Sequence, residues 1–198
     1  MADVKICGIS SPADYQACWA AGARWVGMVY YPGSPRHLDI SALANLADQV
    51  EKLPTAGPKR VLLTVDQTLA TLRALINASR PDFLQLHGQE TVNSAIAIKA
   101  EFGLPVIRMI PIETRADLAA CSRWDGVADW FIFDAKVAKG TQPGGTGHRF
   151  DWTILSHYQG RTPWMLAGGL TIDSVAEAVT ISGTAAVDVS SGVERQRG

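Results

Sequence analysis

Eight short apolar runs, rich in β-branched and aromatic residues, recur along the chain at residues 4–7, 25–30, 60–65, 83–87, 106–110, 130–134, 164–167 and 186–189. The runs WVGMVY, VLLTV and WFIFD are apolar almost throughout. That is the pattern of a parallel strand covered on both faces, where a half-solvated strand would alternate. The intervening stretches carry helix signals. Ser11 stands before a proline at the start of PADYQACWAAG, which ends on Gly22, combining an N-cap, an early proline and a terminating glycine. Residues 40–52, 67–77, 90–102, 114–124 and 172–179 read as further helices, and the segment after Asp151 gives a weaker signal. Strands and helices in strict alternation mean a parallel α/β sheet, either closed into a barrel or open and doubly wound.

The glycines favour closure. An open nucleotide-binding sheet would usually carry its glycine-rich turn after the first strand, whereas here the dense turns GGTG, AGGL and SSGV follow the sixth, seventh and eighth runs. Barrels bind phosphate with the loops after their last strands. The expected fold is therefore an α/β (β/α)8 TIM barrel, a single domain over residues 1–198. It is a small one, since such barrels usually need roughly 200 to 250 residues. Only SSGVERQRG follows the eighth run, so the final helix is expected to be missing and the seam between strands eight and one uncovered.

Composition narrows the partners. The formal net charge is −1 and no block of five like charges occurs, so neither a nucleic-acid face nor an acidic tail is expected. No apolar stretch reaches the roughly 18 residues of a membrane span, and MADVKICGIS lacks a signal-peptide core. A cytoplasmic protein with no membrane partner follows. Three widely spaced cysteines and four scattered histidines fit neither a disulfide framework nor a metal site.

Barrel enzymes keep their reactive groups at the C-terminal ends of the strands. Cys7-Gly8 ends the first run, Ser34-Pro35-Arg36 follows the second, and His87 and Arg108 stand at the fourth and fifth. Asp134 ends the sixth, and Asp188 with Ser190-Ser191-Gly192 ends the eighth. A cysteine here can be a proton-abstracting base if cations favour its thiolate, and Lys5, on the same strand face, is placed to lower the thiol pKa. On position alone Cys7 is more often a small buried hydrophobe. Asp134, closing an apolar run, is expected to have a raised pKa and to serve as a proton donor, with a helix cap or a loop ion pair as the alternative. Arg36 offers a planar fork for a carboxylate, though many such arginines are simply solvated. In the glycine loops, Gly145, Gly147, Gly168, Gly169, Ser190, Ser191 and Gly192 present backbone N–H groups and hydroxyls suited to a phosphate.

Taken in order, Lys5-Ile6-Cys7-Gly8, Ser34-Pro35-Arg36, Gln85-Leu86-His87-Gly88, Phe133-Asp134-Ala135, Gly144-Gly145-Thr146-Gly147, Phe150-Asp151-Trp152, Leu166-Ala167-Gly168-Gly169-Leu170 and the segment from Asp188 to Glu194 run through nearly the whole chain. This series resembles the phosphoribosylanthranilate isomerase family of the tryptophan pathway. The resemblance implies an aldose–ketose (Amadori) isomerisation of N-(5-phosphoribosyl)anthranilate to 1-(2-carboxyphenylamino)-1-deoxyribulose 5-phosphate, with no metal and no cofactor. It implies Asp134 as general acid, Cys7 as general base, Arg36 on the anthranilate carboxylate, supporting substrate contacts from His87 and Asp188, and phosphate held by the glycine and serine loops. The expected partner is one small phosphorylated molecule, and the chain is expected to be a monomer. Two other readings remain open: a histidine-pathway barrel isomerase of the same chemistry, which would resemble this chain but carry an aspartate in place of Cys7, and a non-catalytic phosphate-binding barrel.

Overall fold

The structure, a computed structural model, describes residues 2–53, 57–136 and 150–195. Eight parallel strands close into a barrel in sequence order. They are β1 (Asp3–Cys7), β2 (Trp25–Tyr30), β3 (Lys59–Thr64), β4 (Phe83–Leu86), β5 (Val106–Ile112), β6 (Trp130–Ala135), β7 (Trp164–Leu166) and β8 (Ala186–Val189). Each coincides with one of the eight apolar runs. The ring closes where β1 pairs with β8, in a register that sets Lys5 beside Asp188. Around it lie α1 (Pro12–Ala20), α2 (Ile40–Val50), α3 (Leu69–Ser79), α4 (Val92–Phe102) and α5 (Val175–Ser182), with 3₁₀ segments at Arg115–Trp124 and Trp152–His157.

The helix boundaries follow local chemistry. At α1 the Ser11 hydroxyl accepts from Asp14 N, the Asp14 carboxylate accepts from the Ser10 and Ser11 N–H groups, and Gly22 leaves the turn at φ +81°, a capping box with the expected glycine exit. α4 starts two residues later than the expected 90, because Thr91 is the cap and Glu90 is drawn away to Arg108. α5 starts three residues later than the expected 172, because Thr171 N–H donates to Ser174 Oγ and makes a separate turn. The expected helix at 114–124 is instead wound as 3₁₀.

Side chains alternate between the barrel interior and the helix layer. The interior is apolar at its N-terminal end, where Trp25, Val61, Ile107, Ile132 and Met165 pack together and the Trp25 and Trp130 rings meet edge-on at 5.2 Å. Towards the C-terminal end inward positions turn polar on four strands, with Lys5 and Cys7 on β1, Gln85 and His87 at β4, Asp134 on β6 and Asp188 on β8, while Val29 of β2 and Leu63 of β3 stay apolar beside Cys7. Between strands and helices lies the larger core, including Val26, Leu43, Leu62, Leu84, Phe131 and Phe133.

The seam between β8 and β1 is closed by backbone pairing. Among the described residues β8 is followed only by the 3₁₀ turn Ser191–Val193. A groove lined by Ile6, Ile9, Ala13, Ala17, Cys18 and Val193 runs between that turn and α1. No helix among the described residues is long and apolar enough to cross a membrane.

Candidate active site

The polar C-terminal end of the barrel opens into a cavity lined by Cys7, Arg36, His87, Asp134 and Asp188, with Gly168, Gly169, Ser190 and Ser191 forming one wall. These residues come from the loop after β2 and from the ends of β1, β4, β6, β7 and β8. Only barrel closure brings them together, since Cys7 and Asp188 lie on the first and last strands. Of the other residues expected at the site, Gly145 and Gly147 lie outside the described residues. Gly192 does not line the cavity; it packs on the β7 loop, and a Cβ there would fall 1.9 Å from Leu170 O.

Burial sets the acid–base character of the cavity. The Asp134 carboxyl is pushed up to about 6, first by burial and then by the charge of Asp188; the Ala135 N–H, donating to Oδ1 at 2.8 Å, and Lys5 pull the other way. The carboxyl is therefore poised near neutrality, as the closing of an apolar strand leads one to expect. Cys7 departs from expectation. Lys5 does favour its thiolate, but burial outweighs that help and Asp188 opposes it, so the thiol is pushed up to about 11. Burial, with Lys5 and Arg108, drives His87 down to about 3. It is a neutral ring whose Nδ1 lies 3.0 Å from Gln85 Nε2.

Two ion pairs frame the site. Lys5, with no exposed surface, donates to Asp188 Oδ1 at 2.8 Å. The support is one-sided: burial works against the Lys5 ammonium and Asp188 with Cys7 more than compensates, whereas at Asp188 burial outweighs the help of Lys5 and pushes the carboxyl up. Arg36, 6% exposed, pairs two-pronged with Glu194, through Nε to Oε1 and through Nη2 to Oε2 at 2.7 Å. The open fork expected of Arg36 is thus half engaged by the chain's own carboxylate. A guanidinium has five N–H donors, and among the described residues Glu194 takes only the Nε and Nη2 side, leaving the Nη1 edge for a second acceptor. Arg108, expected as a rim group, serves the scaffold: it pairs with Glu90 at 2.7 Å, donates to Leu86 O and Gly88 O, and stacks on Trp124.

Glycines make room for these groups. Gly8 turns at φ +98°, and a Cβ there would lie 2.2 Å from Arg36 Cδ. Gly168, at φ +90°, lets the β7 loop approach so closely that its Cβ would sit 3.1 Å from Asp134 Oδ1. Gly27 was not singled out by the sequence, yet a Cβ there would meet Cys7 Sγ at 2.8 Å and Lys5 Nζ at 3.3 Å. A lone glycine inside a buried strand run was the available signal, since it marks close approach.

Comparison with known proteins places this geometry. A family profile described as N-(5'phosphoribosyl)anthranilate (PRA) isomerase matches residues 4–198. The chain belongs to that family. N-(5'-phosphoribosyl)anthranilate isomerase of Rhodopseudomonas palustris (strain BisA53) is 47% identical over 197 residues, covering 99% of this chain and 88% of the relative. The enzyme of Nitrobacter hamburgensis is 49% identical over 196 residues, covering 98% and 85%. Among solved structures, phosphoribosyl anthranilate isomerase from Thermotoga maritima superposes with TM-score 0.84 at 30% identity, over 100% of this chain and 92% of that one. A second, in complex with reduced 1-(o-carboxyphenylamino)-1-deoxyribulose 5-phosphate, gives TM-score 0.83 at 27% identity, covering 100% and 91%. Both are barrels of the kind described above, and membership of the isomerase family agrees with the motif series.

Proposed function

We propose that this chain converts N-(5-phosphoribosyl)anthranilate to 1-(2-carboxyphenylamino)-1-deoxyribulose 5-phosphate by an Amadori rearrangement, with Asp134 as general acid and Cys7 as general base. The observation that carries the reading is a buried carboxyl titrating near 6 in the same cavity as a strand-end thiol, with two glycine- and serine-containing loops forming the adjoining wall. Ring opening needs a proton delivered to the furanose oxygen while the bond from that oxygen to C1′ breaks. A carboxyl whose pKa is raised towards neutrality keeps a protonated fraction that supplies it. The nitrogen lone pair then completes an iminium, and the thiolate takes the C2′ proton so that the C–H electrons form the enolamine, which tautomerises to the ketose.

The raised Cys7 thiol fits this order of events. Once the iminium has formed, its positive charge beside Cys7 favours loss of the thiol proton to solvent, so the thiolate that takes the C2′ proton forms when it is needed. Gly168, Gly169, Ser190 and Ser191 hold the phosphate in this reading. The Nη1 edge of Arg36 takes the anthranilate carboxylate, while Glu194 keeps the guanidinium oriented. Fixing both ends of the substrate places C1′ and C2′ between acid and base. His87, neutral and hydrogen-bonded to Gln85, and Asp188 line the middle of the cavity as substrate contacts.

The test is turnover and binding in parallel. Asp134→Asn and Cys7→Ala should each lower kcat by about 100-fold or more, in line with the loss of an acid–base group, while a reduced product analogue still binds within a few-fold of wild type. Near-normal turnover in either variant removes that residue from the mechanism.

A further inference from the structure

Lys5 has no exposed surface, and no step above uses it. A buried ion pair is a poor source of stability, because desolvating two charges offsets much of their attraction. Folding alone therefore does not call for one in the middle of this barrel. Its placement is specific. β1 pairs with β8 so that Lys5 stands beside Asp188, and with β2 so that Cys7 stands beside Gly27. Lys5 and Cys7 share the inward face of β1, two residues apart. Because Gly27 has no side chain, the Lys5 Nζ and Cys7 Sγ occupy the space above it together. The ammonium thus lies between a carboxylate 2.8 Å away and the thiol. The other charged or titratable groups at the cavity are Tyr31 and Arg36 from the loop after β2, the latter paired with Glu194, His87 at the end of β4 and Asp134 on β6, with Arg108 of β5 close enough for its charge to act on His87.

We propose that Lys5 is a positioning residue whose ammonium, shared between Asp188 and Cys7, governs how readily the Cys7 thiol ionises, and that Asp188 withholds that charge until a ligand engages the carboxylate. This rests on Cys7 being the base. With the cavity empty, Asp188 draws the ammonium's field to itself and adds its own negative charge near the sulfur. A hydrogen-bond donor on the ligand, such as the anilino N–H of the proposed substrate, shares the Asp188 charge and leaves more of the Lys5 field for the thiol. The thiolate is then favoured in the loaded site, and an empty barrel keeps a protonated, unreactive cysteine.

The experiment is the pH dependence of iodoacetamide alkylation at Cys7, resolved from Cys18 and Cys121 by peptide mass spectrometry, in the full chain without substrate. The midpoint of such a profile reports ionisation and not access. In Asp188→Asn the midpoint should fall by about one unit or more, which makes alkylation at pH 8 roughly 10-fold faster. In Lys5→Met/Asp188→Asn, which leaves no unpaired charge, alkylation below pH 10 should be slower than in wild type. An Asp188→Asn midpoint equal to wild type, or a double variant as reactive as Asp188→Asn, overturns the proposal; if Asp188→Asn does not fold, a double variant alkylated at the wild-type rate does so. Turnover of Cys7→Ala separates the two readings. Normal turnover with the expected alkylation shifts refutes the base and leaves the control of the thiol standing, whereas lost turnover with unmoved alkylation does the reverse.

Discussion

Replacing Asp134 by asparagine should stabilise the folded protein at neutral and alkaline pH while removing turnover. The carboxyl is pushed up to about 6 from its ordinary 3.8, by burial first and the charge of Asp188 second. Below pH 3.8 it is protonated in folded and unfolded chains alike and contributes nothing to the balance. Between 3.8 and about 6 the unfolded chain ionises first, so stability falls as pH rises, and above about 6 the full penalty is present. A gap of roughly 2 pKa units, at about 1.4 kcal/mol each, amounts to ~3 kcal/mol. Asparagine is neutral at every pH, has nearly the same shape, and keeps an oxygen to accept from Ala135 N–H. Urea unfolding of both proteins should give nearly equal stability at pH 4 and an advantage of about 2 to 3 kcal/mol for the variant at pH 8. A variant no more stable than wild type at pH 8 would refute the claim that burial strains this carboxylate.

Further outcomes follow from the same geometry. Arg36→Met should raise KM by about 10-fold or more with a smaller change in kcat, as expected when uniform binding is lost; a pure loss of kcat in steady-state kinetics contradicts the carboxylate-binding role. Gly27→Ala should lower kcat because its methyl would press on both Cys7 Sγ and Lys5 Nζ. Circular dichroism should show the barrel intact, and wild-type turnover would show that the sulfur and ammonium have room to move.

The barrel was legible because a parallel strand buried on both faces leaves a continuous apolar run, and eight such runs stood clear of their neighbours. Helix starts were less so. Glu90 reads as a helical residue until Arg108, 18 positions away, takes its carboxylate. Cys7, Asp134 and the Gly168-Gly169 loop could be placed at strand ends from pattern alone. Their partners could not, because those depend on closure of the ring: Lys5 meets Asp188 across 183 positions, and Arg36 meets Glu194 across 158. The Cys7 thiol shows the limit of local reasoning. Lys5 two residues earlier suggested a lowered pKa, but the depth of burial, invisible in the sequence, reverses the net effect.

The central claim is that this cavity isomerises its ligand and does not merely bind it. The most direct measurement is incubation of the purified chain with N-(5-phosphoribosyl)anthranilate in deuterated water, following the anthranilate fluorescence and the deuterium content of the product. Turnover through an enolamine predicts loss of fluorescence and a product carrying solvent deuterium at C1′. Saturable binding with unchanged fluorescence and no deuterium uptake would contradict it, and would make this chain a phosphate-binding barrel with an idle acid and base.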